Sequence, residues 1–194
     1  MLILAGVTLA QTPLPNLRIE PTGGGSIFYL KNTAAKPLTA YLIELVNYPG
    51  SSFSMWQDDA LDPIKPGAEK RIPVSNMTVG AVPDYVKVQA ALYADGTSAG
   101  VPEKVVQLMA RRSFLRETSR DLIARLEKSA DKAAALADLK QAQEALTAVK
   151  PPRNSQGAIN QNAGRSLVTE TITMVESGGV AAALERLRAM EKAL

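Results

Sequence analysis

Apolar and polar residues alternate in short segments over the first half of the chain. Residues 16–20 and 26–32 read as two strands on either side of a glycine-containing turn. Residues 38–47 predict a longer strand and residues 69–75 another, while residues 84–93 give the clearest alternation. Several short strands separated by turn clusters are typical of an antiparallel β-sandwich.

The predicted strand over residues 38–47 is apolar on both faces. Ala40 and Leu42 lie on one face, and Tyr41, Ile43 and Leu45 lie on the other. Such strands are usually covered on both sides. We therefore expect one face to look into the sandwich and part of the other to meet further elements of the chain.

Two later strands carry positional signals. Pro73 lacks a backbone N–H and therefore favours an edge position for the strand over residues 69–75. Asp95 and Gly96 predict a hairpin directly after the strand over residues 84–93. Strict alternation in that strand places four apolar residues on one face, namely Val86, Val88, Ala90 and Leu92.

From Pro102 onward the apolar period changes to the three-four spacing of helices. A second helix is predicted over residues 131–149, capped by Ser129 or Asp131 and ended by two prolines. A third helix should end at residues 177–179, with a final one over residues 180–194. Because alanine dominates the second helix, we expect a close antiparallel neighbour and a three- to four-helix unit.

Three turns together resemble a known architecture: Asn32-Thr33 after a strand, Pro66-Gly67 before an alternating strand, and the Asp95-Gly96 hairpin. The pattern resembles immunoglobulin-like or fibronectin type III-like modules of exported bacterial proteins, including envelope proteins that append helices. The resemblance implies a sandwich over residues 16–101 and a helical hairpin or small bundle over 102–194 packed against it, an α+β fold. It carries over no functional residues, since the chain lacks the cysteine pair and Tyr85 is out of phase for a tyrosine corner.

The first ten residues, MLILAGVTLA, are apolar and precede a proline-rich stretch. They are typical of the end of a signal peptide, with cleavage after Ala10, so we expect a periplasmic or secreted bacterial protein. The alternative for residues 1–15 is an N-terminal strand on the sandwich. Because no segment approaches the ~20 apolar residues of a membrane span, no transmembrane segment is expected.

The composition of the chain excludes several classes of activity. The 194 residues are 46% hydrophobic with a net charge of +3, too small an excess to argue for nucleic acid. The chain contains no histidine and no cysteine, which excludes Ser-His-Asp hydrolases and cysteine nucleophiles. We therefore predict no cofactor and no metal, and a non-enzymatic role is favoured.

Two candidate sites follow the strand over residues 38–47, in a segment that reads as a loop. Met55 and Trp56 are predicted either as an exposed anchor for a partner or as residues buried against the sandwich. Asp58, Asp59 and Asp62 are a hypothetical Ca²⁺ site, although their spacing matches no EF-hand. The alternative for the three carboxylates is turn capping and solvation.

A third candidate lies on the first helix, where Arg112, Arg116 and Arg120 are spaced four apart and share a face. This row could hold phosphate or anionic lipid. The intervening Glu117 and Asp121 favour a solvated face or pairing with acids on neighbouring helices.

These observations favour a non-catalytic exported protein that acts in protein interaction or envelope structure, with a protein partner and a homo-oligomer through the helices as expectations. One alternative is a binder of lipid or another apolar ligand between sheet and helices. Another is a carbohydrate-active enzyme using two of the 19 acidic residues, although the sequence selects no pair.

Overall fold

The computed structural model describes residues 12–48, 52–75 and 83–194. Of the predicted signal remnant or N-terminal strand over residues 1–15, residues 1–11 lie outside this range, and residues 12–15 form no strand. The chain divides into two compact units. One is built from residues up to Asp59 and from Pro63–Val105, and the other from Ala60–Asp62 and Val106–Leu194.

The α+β fold class is confirmed, with seven strands preceding three α-helices in the described part of the chain. The strands are β1 (Asn16–Thr22), β2 (Gly25–Lys31), β3 (Leu38–Leu45), β4 (Ser54–Asp58), β5 (Glu69–Ser75), β6 (Val86–Tyr93) and β7 (Ser98–Gly100).

The strands form two antiparallel sheets. One has the order β1-β2-β5 and the other the order β4-β3-β6-β7. The edge position that Pro73 predicted for β5 is confirmed, because among the described strands β5 pairs only with β2. The predicted hairpin is confirmed as well, since Asp95 and Gly96 lie in the turn that joins β6 to β7.

The core of the first unit combines side chains from both sheets. Phe28 and Leu30 of β2 are fully buried in one cluster with Tyr41 and Ile43 of β3 and Tyr93 of β6. Burial of such side chains stabilises a fold by about 1.5–3 kcal/mol each. All residues of β3 from Leu38 to Ile43 are buried. Because consecutive residues of a strand point to opposite faces, this confirms that both faces of β3 are covered.

The prediction that the four apolar residues of β6 share one face is wrong. Ile43 pairs with Val88 and Leu42 with Ala90, so β6 contains one extra residue, Gln89, at this point. Such a bulge reverses the alternation. Val86 and Val88 therefore join the core cluster before the bulge, and Ala91 and Tyr93 join it after the bulge, in place of Ala90 and Leu92.

The loop predicted around the tryptophan is also wrong. Residues Ser54–Asp58 form β4, an edge strand that pairs with β3. This segment contains no cluster of turn residues, but it is too short for its alternation to stand out in the sequence. The pairing with β3 decides its conformation.

The helices are α1 (Pro102–Lys128), α2 (Lys132–Ala148) and α3 (Gln156–Ala193). Asp131 caps α2 as predicted, its Oδ1 accepting the Ala134 N–H at 2.8 Å. Gly179 interrupts α3 with φ of 84°, a conformation that favours glycine, so the predicted division near residue 179 is confirmed.

The second unit has its own core, contributed by both sides of the Gly179 kink. Leu122, Leu139, Val175 and Leu187 are buried together in it. The start of α2 lies beside the end of the first half of α3, because Lys132 Nζ donates to the Glu176 carbonyl at 2.6 Å.

The other end of α2 is tied to the beginning of α3. Gln161 Nε2 donates to the carbonyls of Leu146 and Val149. The antiparallel neighbour predicted for α2 is therefore the first half of α3, and the kink makes three helices into four helical segments.

Candidate functional site

An exposed aromatic pair lies where β3 ends and β6 begins. Leu45, the last residue of β3, pairs with Val86, the first residue of β6. The ladder continues for one further bond, from the Val46 N–H to the Tyr85 carbonyl at 2.8 Å. Residues just after β3 and just before β6 are therefore held side by side.

Tyr48 and Tyr85 form this pair, which we call the tyrosine pair. Their ring centroids are 5.5 Å apart and their planes are inclined by 65°, the edge-to-face arrangement that aromatic rings prefer. The residues remain 38% and 42% exposed. An edge-to-face contact contributes about 0.5–1.5 kcal/mol, enough to fix the two rings relative to each other while leaving much of their surface in water.

The local backbone explains why both rings point outward. Asn47, just before Tyr48, has φ of 54°, which turns the chain out of the β3 direction. Tyr85 closes a 3₁₀ turn over Pro83–Tyr85 and precedes the first core residue of β6. Neither tyrosine is therefore in phase with the apolar face of its neighbouring strand.

The sequence does not predict this pair. Tyr85 differs in phase from Val86 and Val88, which argues against a tyrosine corner and indicates a ring that points away from the core. Nothing in the sequence pairs Tyr85 with Tyr48, since 36 intervening residues separate them and only the β3–β6 register brings them together.

Met55 and Trp56 do not form an exposed pair. They are consecutive on β4, so their side chains point to opposite faces of the sheet. Met55 packs against the core of the first unit, and both residues are half-buried.

The three aspartates near Trp56 have different surroundings. Asp62 is exposed and Asp58 ends β4. Asp59 is only 8% exposed and accepts from Lys70 Nζ at 2.5 Å and from Gln57 Nε2 at 3.0 Å. Within the described residues, no three acidic side chains gather in a way that could hold a metal ion.

Asp59 also belongs to a polar network inside the first unit. Its Lys70 partner is on β5, so the ion pair links the segment after β4 to the other sheet. Burial raises the pKa of Tyr41, and the neighbouring Asp59 carboxylate raises it further. The Gln57 and Lys70 donors satisfy the hydrogen-bonding needs of the buried Asp59 carboxylate, so Asp59 has a structural role.

The arginine row on α1 is not uniform. Arg120 is exposed and donates to Glu191 of α3 at 2.6 Å, in agreement with pairing to an acid of a neighbouring helix. Arg112 and Arg116 are half-buried.

No helix in the part of the chain that the structure describes combines the length and the apolar character needed to cross a membrane. Comparisons with protein-family models, curated proteins and solved structures found no match.

Proposed function

We propose that this chain is a non-catalytic interaction protein that binds a protein partner through the tyrosine pair. The observation that carries the proposal is the pair itself, two aromatic rings in contact that keep 38% and 42% of their residue surface exposed. Tyrosine is enriched among the residues that dominate binding energy at protein interfaces. The absence of histidine and cysteine from the sequence supports the non-catalytic part of the proposal.

The chemistry of the pair favours a protein surface as its partner. Each ring offers a rigid apolar body with a hydroxyl at its tip, and a tyrosine loses only two side-chain torsions when it is immobilised. Tyr48 also lies in the sequence NYPGSS, whose tyrosine, serine, glycine and asparagine are the residue types that antibody loops use for recognition. Rings that are already fixed against each other reduce the entropy lost on binding.

A photo-crosslinking experiment tests this proposal. We would replace Tyr48 or Tyr85 by p-benzoylphenylalanine in the full chain, expressed in its natural cells, and identify crosslinked proteins after irradiation. Tyr29 provides a matched control because it is a partly exposed tyrosine of β2 that stacks under Arg18, outside the pair. The expected result is one common partner from positions 48 and 85 and its absence from position 29.

The contribution of the second ring is tested separately. With the probe at position 48, Tyr85→Ser should lower the yield of the crosslinked partner by about 30-fold, which corresponds to the ~2 kcal/mol of a hot-spot residue. Circular dichroism and the melting temperature should stay near wild type, because Tyr85 is exposed. Equal crosslinking from position 29, or an unchanged yield in Tyr85→Ser, would contradict the proposal.

We further propose that the first unit is an immunoglobulin-like sandwich. The strand order supports this, because β1, β2 and β5 form one sheet while β3, β6 and β7 share the other, as the A, B, E and C, F, G strands do in that architecture. β4 pairs with β3 instead of β5, which distinguishes the arrangement from a constant-type domain. An experimental structure that showed another strand order would overturn the assignment.

Export is part of the same proposal, and its support is the apolar sequence MLILAGVTLA. Expression in a bacterium of the chain with residues 1–10 included, followed by osmotic shock and mass spectrometry, tests it. We expect release with the periplasmic fraction and a mature chain that begins at Gln11. Retention in the cytosol with residues 1–10 still attached would contradict export.

A further inference from the structure

An extended proline segment connects α2 to α3. It covers residues 149–153, which read VKPPR, and we call it the proline segment. Val149 has φ of −77° and ψ of 132°, close to the values of a polyproline II helix. Lys150 and Pro151 each precede a proline, which favours the same extended conformation. The segment is therefore a short polyproline II helix.

The proline segment presents two different faces outward. A polyproline II helix has three residues per turn, so residues three apart share a face. Val149 and Pro152 form an exposed apolar face, with Val149 63% exposed. Lys150 and Arg153 form an exposed basic face. Pro151, on the remaining face, is half-buried against the start of α3, so the segment packs on its own chain with one face and offers the other two to a partner.

Hydrogen bonds hold both ends of the proline segment. A side chain of α3 donates to the Val149 carbonyl, and the N–H and the hydroxyl of Ser155 donate to the Pro152 carbonyl at 3.3 and 2.7 Å. Between these ends, the carbonyls of Lys150 and Pro151 accept no hydrogen bond from any residue that the structure describes. The segment is therefore fixed before binding and keeps two backbone acceptors for a ligand, which lowers the entropy lost on association.

The tyrosine pair carries the groups that complement this segment. Aromatic surfaces are the usual receptors of proline-rich polyproline II segments, and a tyrosine adds a hydroxyl donor beside its ring. The hydroxyls of Tyr48 and Tyr85 make no hydrogen bond within the described part of the chain. Asp84, just before Tyr85, is exposed and forms no ion pair with a described residue. Two rings, two donors and a carboxylate therefore lie together at this surface.

We propose that the tyrosine pair of one copy of this chain binds the proline segment of a second copy. Val149 and Pro152 pack on the two rings, whose centroids are 5.5 Å apart. The ring hydroxyls donate to the two carbonyls that lack partners, and Asp84 pairs with the basic face. The inference rests on the proposed role of the tyrosine pair as a protein-binding surface, and it names the partner.

A second copy is the occupant that the chain itself supplies. Each of the two surfaces offers what the other lacks: rings for apolar side chains, donors for acceptors, and a carboxylate for cations. Every copy carries both surfaces, so the ligand is always present at the concentration of its receptor. The contact is heterologous, because it joins two different surfaces, and it can therefore link more than two copies.

Complementation between two variants tests the contact, read by sedimentation equilibrium of the full chain over a wide concentration range. The wild-type chain should self-associate. Tyr85→Ser damages the receptor, and Val149→Ser combined with Pro152→Ser damages the ligand, so each variant alone should associate about 30-fold more weakly. An equal mixture should form a one-to-one complex and no larger species, because each variant retains one intact surface.

The matched controls are a tyrosine and a valine outside the two surfaces. Tyr29 is a partly exposed tyrosine of β2, and Val106 of α1 is 64% exposed, close to Val149. Tyr29→Ser and Val106→Ser should leave self-association unchanged, and circular dichroism verifies that every variant is folded. A wild-type chain that stays monomeric at every concentration, a mixture that stays monomeric, or equal weakening by the controls would overturn the proposal.

Charge reversal tests the pairing of Asp84 with the basic face. Asp84→Lys or Lys150→Glu places like charges across the contact and should weaken self-association about tenfold. A mixture of the two variants should associate as tightly as the wild type, because every contact between the unlike chains then joins opposite charges. Asp62→Lys, at an exposed aspartate of the second unit, should have no effect. A mixture as weak as either variant alone would contradict the pairing.

Photo-crosslinking separates this proposal from the broader one. With p-benzoylphenylalanine at position 48, a mixture of unlabelled and heavy-isotope-labelled chains should give crosslinks from one copy to residues 149–153 of another. Capture of a different protein in cells, together with a monomeric purified chain, would overturn self-association and leave the binding role of the tyrosine pair intact. Capture of nothing would overturn both.

Discussion

Replacement of Gly100 by alanine should destabilise the first unit far more than the same change at Gly96. Both glycines have positive φ, 117° at Gly100 and 83° at Gly96. A Cβ at Gly96 would meet no atom within 4 Å, whereas a Cβ at Gly100 would lie 2.2 Å from the Gln89 carbonyl oxygen and 2.8 Å from the Ala90 Cα. The comparison separates backbone strain from steric exclusion.

The magnitudes follow from these distances. Strain from positive φ should cost each alanine variant about 1–2 kcal/mol. At Gly100 the two backbones must also move apart, which disrupts the bond from the Val101 N–H to the Gln89 carbonyl, 2.8 Å long, and the neighbouring hydrogen-bonded pair of Ala91 with Ala99. At ~1 kcal/mol for each lost hydrogen bond, the total for Gly100→Ala is about 3–5 kcal/mol.

Urea unfolding followed by tryptophan fluorescence provides the assay, because the single tryptophan, Trp56, belongs to the same unit. With an m-value of ~1.5 kcal/mol/M, the midpoint should fall by about 1 M in Gly96→Ala and by about 2–3 M in Gly100→Ala. Equal midpoints for the two variants would refute the steric argument. They would mean that β7 can shift away from the β6 bulge at little cost.

Two further predictions concern acid stability and helix capping. Hydrogen bonding from Lys36 holds the pKa of Asp95 at about 2, so its carboxylate stabilises the fold above its unfolded pKa of about 4 and this contribution disappears as the pH falls toward 2. The free energy of unfolding in urea should therefore fall less between about pH 4 and 2 in Asp95→Asn than in the wild type. The same pH dependence in both proteins would contradict this assignment. Asp131→Ala should destabilise α2 by about 1 kcal/mol in thermal unfolding followed at 222 nm, whereas Asp131→Asn, which keeps the capping oxygen, should stay near wild type.

Local signals in the sequence predicted much of the architecture. The bounds of β5, its edge position through Pro73, the Asp131 cap and the division of α3 near Gly179 all agree with the structure. Each of these features depends on the effect of a single residue on the backbone at or next to its own position. A missing N–H, a capping carboxylate and a positive φ act over one helical turn or less and can be read without knowledge of the fold.

The features that the sequence did not predict correctly depend on pairing between strands that are distant in the chain. The bulge at Gln89 redirects Ala91 and Tyr93 into the core, and β4 becomes a strand through its pairing with β3. The tyrosine pair depends on the same β3–β6 register, which joins segments that are far apart in the sequence. Alternation along one segment cannot reveal an extra residue that exists only relative to a partner strand.

The sequence by itself therefore determined the order and type of most elements, the bounds of α2 and the residue chemistry available, because these follow from local backbone preferences and composition. Only the tertiary structure decided which face of β6 is buried, that residues Ser54–Asp58 form a strand, and which tyrosines stand exposed together. Those features depend on strand register, and register is fixed by the simultaneous burial of side chains from both sheets in one core.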